Sequence, residues 1–247
     1  RDKMELFLTL VVGLFILFGS GFAFIFKNDK KFIDFSTSLG FGVMISLILF
    51  ELIPEVIEIF SANQNIVHTI ALTIIFVAIG ILILKILDLF IPDHDNKSTS
   101  NKLYHIALIT SISLIIHNIL EGMAVYSTLV NSIKMGIFVC LGVGVHNIVL
   151  GMVITSFFYK FNNNKQKTLL IMLLVSLSTF LGGILSLLIG TTSELIEGII
   201  LAITLGMLIY ITIFELLPHI IESKNKKNSI IGITLGIIIL IISLLFE

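Results

Sequence analysis

The sequence predicts an all-α integral membrane protein, with eight transmembrane helices in a 3 + 2 + 3 arrangement built on inverted repeats. Mean hydropathy is +1.12, and 57% of the 247 residues are hydrophobic against 13% charged. A chain of this length cannot build the polar surface of a soluble domain from so few charges. Apolar runs of bilayer length recur between short polar breaks, and two polar phrases each occur twice, on runs that point in opposite directions. The formal net charge of −1 offers no basic footprint for nucleic acid. Cys140 is the lone cysteine, which excludes an intrachain disulfide and a thiolate zinc site.

A bilayer crossing needs about 20 apolar residues. The runs that meet this are 5–26, 35–60, 66–90, 103–129, 134–159, 168–191, 195–221 and 229–246, forming one domain over 1–247. Polar stretches at 27–31, 61–65, 92–102, 160–167 and 222–229 separate them, and the turns near Asn131 and Thr191 are short. The first run is too long for a signal peptide, lacks a small-residue cleavage site, and reads as a membrane helix. Barrel strands would alternate with period 2 and be half as long.

Lysine placement sets an expected topology. Eleven lysines (27, 30, 31, 97, 102, 160, 165, 167, 224, 226 and 227) fall on one side, and Arg1, Lys3 and Lys134 on the other. The lysine-rich side, including loop 92–102, is expected to be cytosolic, with both termini outside the cell membrane.

Span 2 carries Phe50-Glu51-Leu52-Ile53-Pro54-Glu55, with Glu58 beyond it; span 7 carries Phe214-Glu215-Leu216-Leu217-Pro218-His219, with Glu222 beyond. Within each phrase the polar residues are spaced i, i+4 and i+7, one helical face. Each proline lacks an N–H and frees the carbonyl four residues back, at Phe50 and Phe214. Such groups are tolerated in lipid only where protein or a water-filled cavity covers them. On the lysine topology, Glu51 and Glu55 line an outer vestibule, while Glu215 and His219 line an inner one. Carboxylates along such a path concentrate cations.

Span 4 carries His117-Asn118-Ile119-Leu120-Glu121-Gly122-Met123, and span 5 carries His146-Asn147-Ile148-Val149-Leu150-Gly151-Met152. Imidazole, amide and carboxylate at mid-bilayer depth require a partner, a cavity or an ion. His117 and Glu121 are four apart and share a face, Asn118 lies beside Glu121, and His146 comes from the facing helix. Two imidazoles and a carboxylate suit Zn²⁺, with Fe²⁺ or Mn²⁺ also accommodated, better than Mg²⁺ or K⁺. Gly122 and Gly151 are expected to let spans 4 and 5 approach closely.

These phrases, with the Glu-Leu-x-Pro pair and the outward termini, resemble the ZIP (Zrt-, Irt-like) metal transporters along all eight spans. The resemblance implies import of a divalent metal into the cytosol, with His117, Asn118, Glu121, His146 and Asn147 at transport-site positions. Zinc would be the substrate, no organic cofactor would be needed, and a homodimer is an open expectation beside the bilayer and the ion as partners. The chain departs from the family pattern at Leu150, where a carboxylate bridging two metals is usual, and in span 6, where Ser176–Phe180 contains no acid. A single-ion site is therefore expected, completed by Glu51, Asn147 or water.

Ordinary explanations cover several other polar residues. Glu58 and Glu222 read as interfacial charges, and His94 between Asp93 and Asp95 as part of a solvated loop. His68, Glu194 and Glu197 read as outer-surface residues, His105 as interfacial, and Lys85 with Asp88 as a neutralising pair. An intramembrane metallohydrolase is disfavoured: no His-Glu-x-x-His phrase or nucleophile elbow occurs. The chain is not expected to be an enzyme. The alternatives that stay open are a carrier of protons, another cation or an organic solute, and a metal-sensing relative that has lost transport.

Overall fold

A computed structural model describes residues 2–26, 30–62, 65–90, 99–162, 164–189 and 194–245, with backbone alone at 90, 99–105, 161–162, 194 and 197. These residues are all-helical: α1 (Asp2–Ile25), α2 (Lys30–Leu47), α3 (Ile53–Ser61), α4 (Ile66–Phe90), α5 (Thr99–Asn131), α6 (Ile133–Asn162), α7 (Lys165–Ile189), α8 (Glu194–Tyr210), α9 (Leu217–Glu222) and α10 (Lys226–Leu244). Two π turns, Ile48–Leu52 and Ile211–Leu216, join α2 to α3 and α8 to α9, leaving eight helical rods. Seven of the rods are long and apolar enough to cross a membrane. The α2–α3 rod, on which the predicted span 35–60 falls, is not among those seven. Its start is polar, with Asp34, Ser36, Thr37 and Ser38 all buried.

Local chemistry explains the rod ends. Asn65 Oδ1 accepts from His68 N at 3.0 Å, Asn164 Oδ1 from Lys167 N at 3.1 Å, and Asn225 Oδ1 from Asn228 N at 3.3 Å. Each satisfies an N–H that the first helical turn leaves open. The Asn164 cap starts α7 three residues ahead of the expected 168. Helix α5 starts at Thr99, inside the predicted loop 92–102; positions 92–98 lie outside the described residues. Between α5 and α6 only Ser132 departs from helix, and its hydroxyl accepts from Met135 N at 3.4 Å.

The prolines act as the sequence anticipates, through a wider turn. Ile53 N–H donates to the Ile48 carbonyl and Leu217 N–H to that of Thr212, five residues back. The i→i+5 closure absorbs the clash between each proline ring and the preceding turn.

The rods sort into two sets by packing. Helix α1 lies along α6 and α5 along α7, and these four touch one another; α2 lies along α10 and α4 along α8. The sets meet mainly where α6 rests against α2 and α10. Within each set, glycines bring backbones into contact. A methyl at Gly122 would strike the Thr179 carbonyl of α7, and one at Gly151 the Ile16 carbonyl of α1. This corrects the expectation that Gly122 and Gly151 bring spans 4 and 5 together. Each is rotated about 100° from the residue before it, so Gly122 faces α7 while Glu121 faces α6. Large apolar side chains such as Phe18, Ile74 and Leu174 point outward, as lipid contact requires. Polar ones, including His117, Asn118, His146 and Asn147, are buried.

Candidate metal centre

Helices α5 and α6 bring the two histidine phrases face to face. Glu121 Oε1 stands 2.7 Å from His146 Nε2 and 3.6 Å from His117 Nε2. His117 is 3% exposed, His146 fully buried, and the Glu121 side chain 8% exposed. One ligand atom from each of the three lies within 4.8 Å of the others, the one such group of three His, Cys, Asp or Glu among the described residues. Bonds of about 2.0–2.1 Å in a tetrahedral zinc site put neighbouring ligand atoms ~3.3 Å apart. The His117–Glu121 separation is near that value. The His146–Glu121 contact is a hydrogen bond that a bound ion would open by roughly half an ångström.

The two asparagines differ. Asn118 Nδ2 donates to the Val175 carbonyl of α7 at 3.3 Å, and its Oδ1 makes no hydrogen bond. Asn147 is fully buried, and neither its oxygen nor its nitrogen is hydrogen-bonded. A buried amide without partners costs free energy, which an ion or its hydration water would offset. Leu150, one turn after His146, is 2% exposed within the apolar core and offers no ligand atom.

A cavity of about 810 Å³ leads to the cluster; Asp2, Glu51, Glu55, Tyr126, His117 and Glu121 are among its lining residues. Glu51 lies in the first π turn and Glu55 one turn later, just past Pro54, and both line this space. Their counterparts do not reach it. Glu215 is half-buried in the second π turn, and His219 sits 3.5 Å from Asp34 Oδ1.

Sequence reasoning overlooked Asp2, Glu5, Tyr126 and Asp34. Glu5 is fully buried near the start of α1, and Asp34 is 6% exposed inside Phe32-Ile33-Asp34-Phe35. A lone carboxylate in an apolar stretch was the available signal for both. The other polar positions have local roles or fall outside view. His68 Nδ1 lies 2.8 Å from its capping partner Asn65. Asp88 accepts a hydrogen bond from Tyr210 at 3.1 Å, tying α4 to α8. Asp93, His94 and Asp95 lie outside the described residues, as do the side chains of His105, Glu194 and Glu197.

Comparison with known proteins agrees with this chemistry. A family model described as ZIP Zinc transporter matches residues 91–244. The chain is 29% identical to a zinc transporter ZupT of Streptococcus mutans over 96% of its own length and 95% of the relative. It is 28% identical to a zinc transporter ZupT of Oceanobacillus iheyensis, covering 96% of each chain. Against a zinc transporter ZupT of Clostridium perfringens the identity is 26%, over 98% of this chain and 95% of the relative. With the matched region covering well over half its length, the chain belongs to the ZIP zinc transporter family.

Proposed function

We propose that this protein carries Zn²⁺ into the cytosol one ion at a time, through a site made by His117, Glu121 and His146 with Asn118 and Asn147 beside it. The observation that carries this reading is the convergence of two imidazoles and one carboxylate, buried between two membrane-length helices and reached by a cavity. An ion is drawn into the cavity by Asp2, Glu51 and Glu55 and loses water as it reaches the cluster. It exchanges the Glu121–His146 hydrogen bond for coordination by both imidazoles and the carboxylate. Glu121 neutralises one of the two charges, and the asparagine oxygens help to offset the other through their dipoles. The donor set also admits Fe²⁺ and Mn²⁺.

In this proposal all eight rods cross the bilayer, the α2–α3 rod included, and both termini face outward. Spans 1–3 and 6–8 are inverted repeats around spans 4 and 5. The packing pairs support the repeat: turning the chain over exchanges α1·α6 with α7·α5, and α2·α10 with α8·α4. Matching glycines at 122 and 151 each sit against the backbone of a symmetry-equivalent helix.

Uptake of zinc by proteoliposomes tests the function. Wild-type protein is expected to load zinc and His117→Ala to fail while staying folded; equal uptake by the two would overturn the site. Orientation is tested in cells carrying Cys140→Ser. An impermeant thiol reagent added outside is expected to label Glu58→Cys and leave Glu222→Cys untouched. The reverse pattern would overturn the direction of transport.

A further inference from the structure

We propose that Asp34 and His219, with Ser223 holding the carboxylate in place, form a second zinc station at the end of the molecule away from the cavity. The proposal rests on the reading of the chain as a zinc carrier. It uses side chains that take no part in the central cluster of His117, Glu121 and His146.

Asp34 lies near the start of α2, and His219 and Ser223 lie at and just after α9, the segment that follows the second π turn. At 1.5 Å per residue, Asp34 is about 25 Å along its rod from Glu51, the cavity carboxylate. The Ser223 hydroxyl donates to Asp34 Oδ2 at 3.0 Å, and Asp34 is 6% exposed. One carboxylate oxygen is thereby fixed, and the other, Oδ1, is directed at His219 Nε2, 3.5 Å away.

That separation is informative. It exceeds the ~2.7–3.2 Å of an N–H···O hydrogen bond. It is near the ~3.3 Å between two donors on a tetrahedral zinc ion. The central site shows the same relation, with His117 Nε2 and Glu121 Oε1 at 3.6 Å. A hydroxyl that orients a ligating carboxylate from behind is a recurring outer partner of metal sites. The Lys226 ammonium, three residues past Ser223, caps the carbonyls of Ile220 and Ile221.

An imidazole with a carboxylate selects a borderline divalent ion such as Zn²⁺ over Mg²⁺ or Ca²⁺. Two protein ligands leave the remaining positions to water, so this station holds its ion more loosely than the centre does. Loose binding suits a place from which the ion is released. The two sites are also mechanically linked. Phe157, fully buried on α6 about three turns past His146, packs edge-on against the His219 ring with centroids 5.8 Å apart. The helix that presents the central imidazole therefore covers the far station as well.

Zinc calorimetry on the purified full-length chain and its variants tests the proposal. Wild-type protein is expected to bind one zinc tightly and a second at least ten-fold more weakly. Asp34→Asn, which keeps the shape of the side chain, and His219→Ala should each remove the weaker event and keep the tighter one. His117→Ala should do the reverse, and Ser223→Ala should weaken the second event several-fold without abolishing it. A single zinc that is lost in His117→Ala and unaffected by Asp34→Asn would overturn the station and leave the carrier intact. No zinc binding by wild-type protein would overturn the carrier reading and the station with it. Lower thermal stability in Asp34→Asn with both zinc events unchanged would mark the pair as structural and also overturn the proposal.

Discussion

The two His-Asn phrases begin alike and end differently, and that difference shapes the site. His117 and His146 are both buried on adjacent helices, and the glycine that closes each phrase sits against a neighbouring backbone. In the first phrase the fourth residue after histidine is Glu121, which meets both imidazoles; in the second it is Leu150, which joins the apolar core. Asn118 is tied to α7 through the Val175 carbonyl, whereas Asn147 makes no hydrogen bond. One half thus supplies charge and a fixed frame, and the other supplies an imidazole and an uncommitted amide. A repeat that began as two equivalent half-sites would hold two carboxylates; this chain keeps one, shared.

Removing the shared carboxylate should have the largest effect. Glu121→Ala deletes a proposed direct ligand, and even an outer partner of a metal site is worth about 10–100-fold in affinity. Tight zinc binding is therefore expected to fall by at least about two orders of magnitude, with uptake lost. Calorimetry showing unchanged affinity would break the comparison at its centre.

Restoring the missing carboxylate should act in the opposite direction. Leu150→Glu places an anion one turn from His146, on the same face, and a second negative charge offsets the residual charge of the bound ion. The tighter zinc event is expected to strengthen by roughly ten-fold, with slower release. An unchanged isotherm would mean that position 150 does not address the ion. Burying a carboxylate in an apolar core should also lower the stability of the zinc-free protein, which thermal unfolding with and without zinc would show.

The asparagines should separate stability from binding, with the smallest effects. Asn118→Ala loses a buried hydrogen bond and should cost about 1 kcal/mol of stability. Asn147→Ala removes a buried amide that has no such bond, so stability should hold or rise by about 1 kcal/mol while zinc affinity drops a few-fold. Equal destabilisation by both changes would erase the distinction drawn between them.

Much of this site was legible in the sequence because helical spacing is local. His117 and Glu121 share a face at any i, i+4 pair, and the repeat of the phrase on the next span marks its partner. The proline phrases likewise announce a break in the ladder, because a missing N–H acts on its own turn. Other features required knowledge of neighbours. Glu51 and Glu215 occupy matching positions within the two π turns, yet only Glu51 lines the cavity. Gly122 and Gly151 were correctly legible as close-packing residues, but not which helices they would meet. Asp34 was passed over because its partners, His219 and Ser223, lie far along the chain.

By itself, the sequence determined the membrane class, the helical rods, the proline turns and the face on which each candidate metal ligand lies. These follow from composition, from the 3.6-residue period and from the geometry of single turns, all properties of short stretches of chain. The tertiary structure alone decided that one Glu-Leu-x-Pro turn opens onto a cavity while the histidine after the other meets a buried Asp34. It also decided that Gly122 meets α7 and Gly151 meets α1, so that neither glycine lies between spans 4 and 5. Both outcomes depend on how rods distant in sequence pack, where a glycine or a phenylalanine on one helix sets the space left for another.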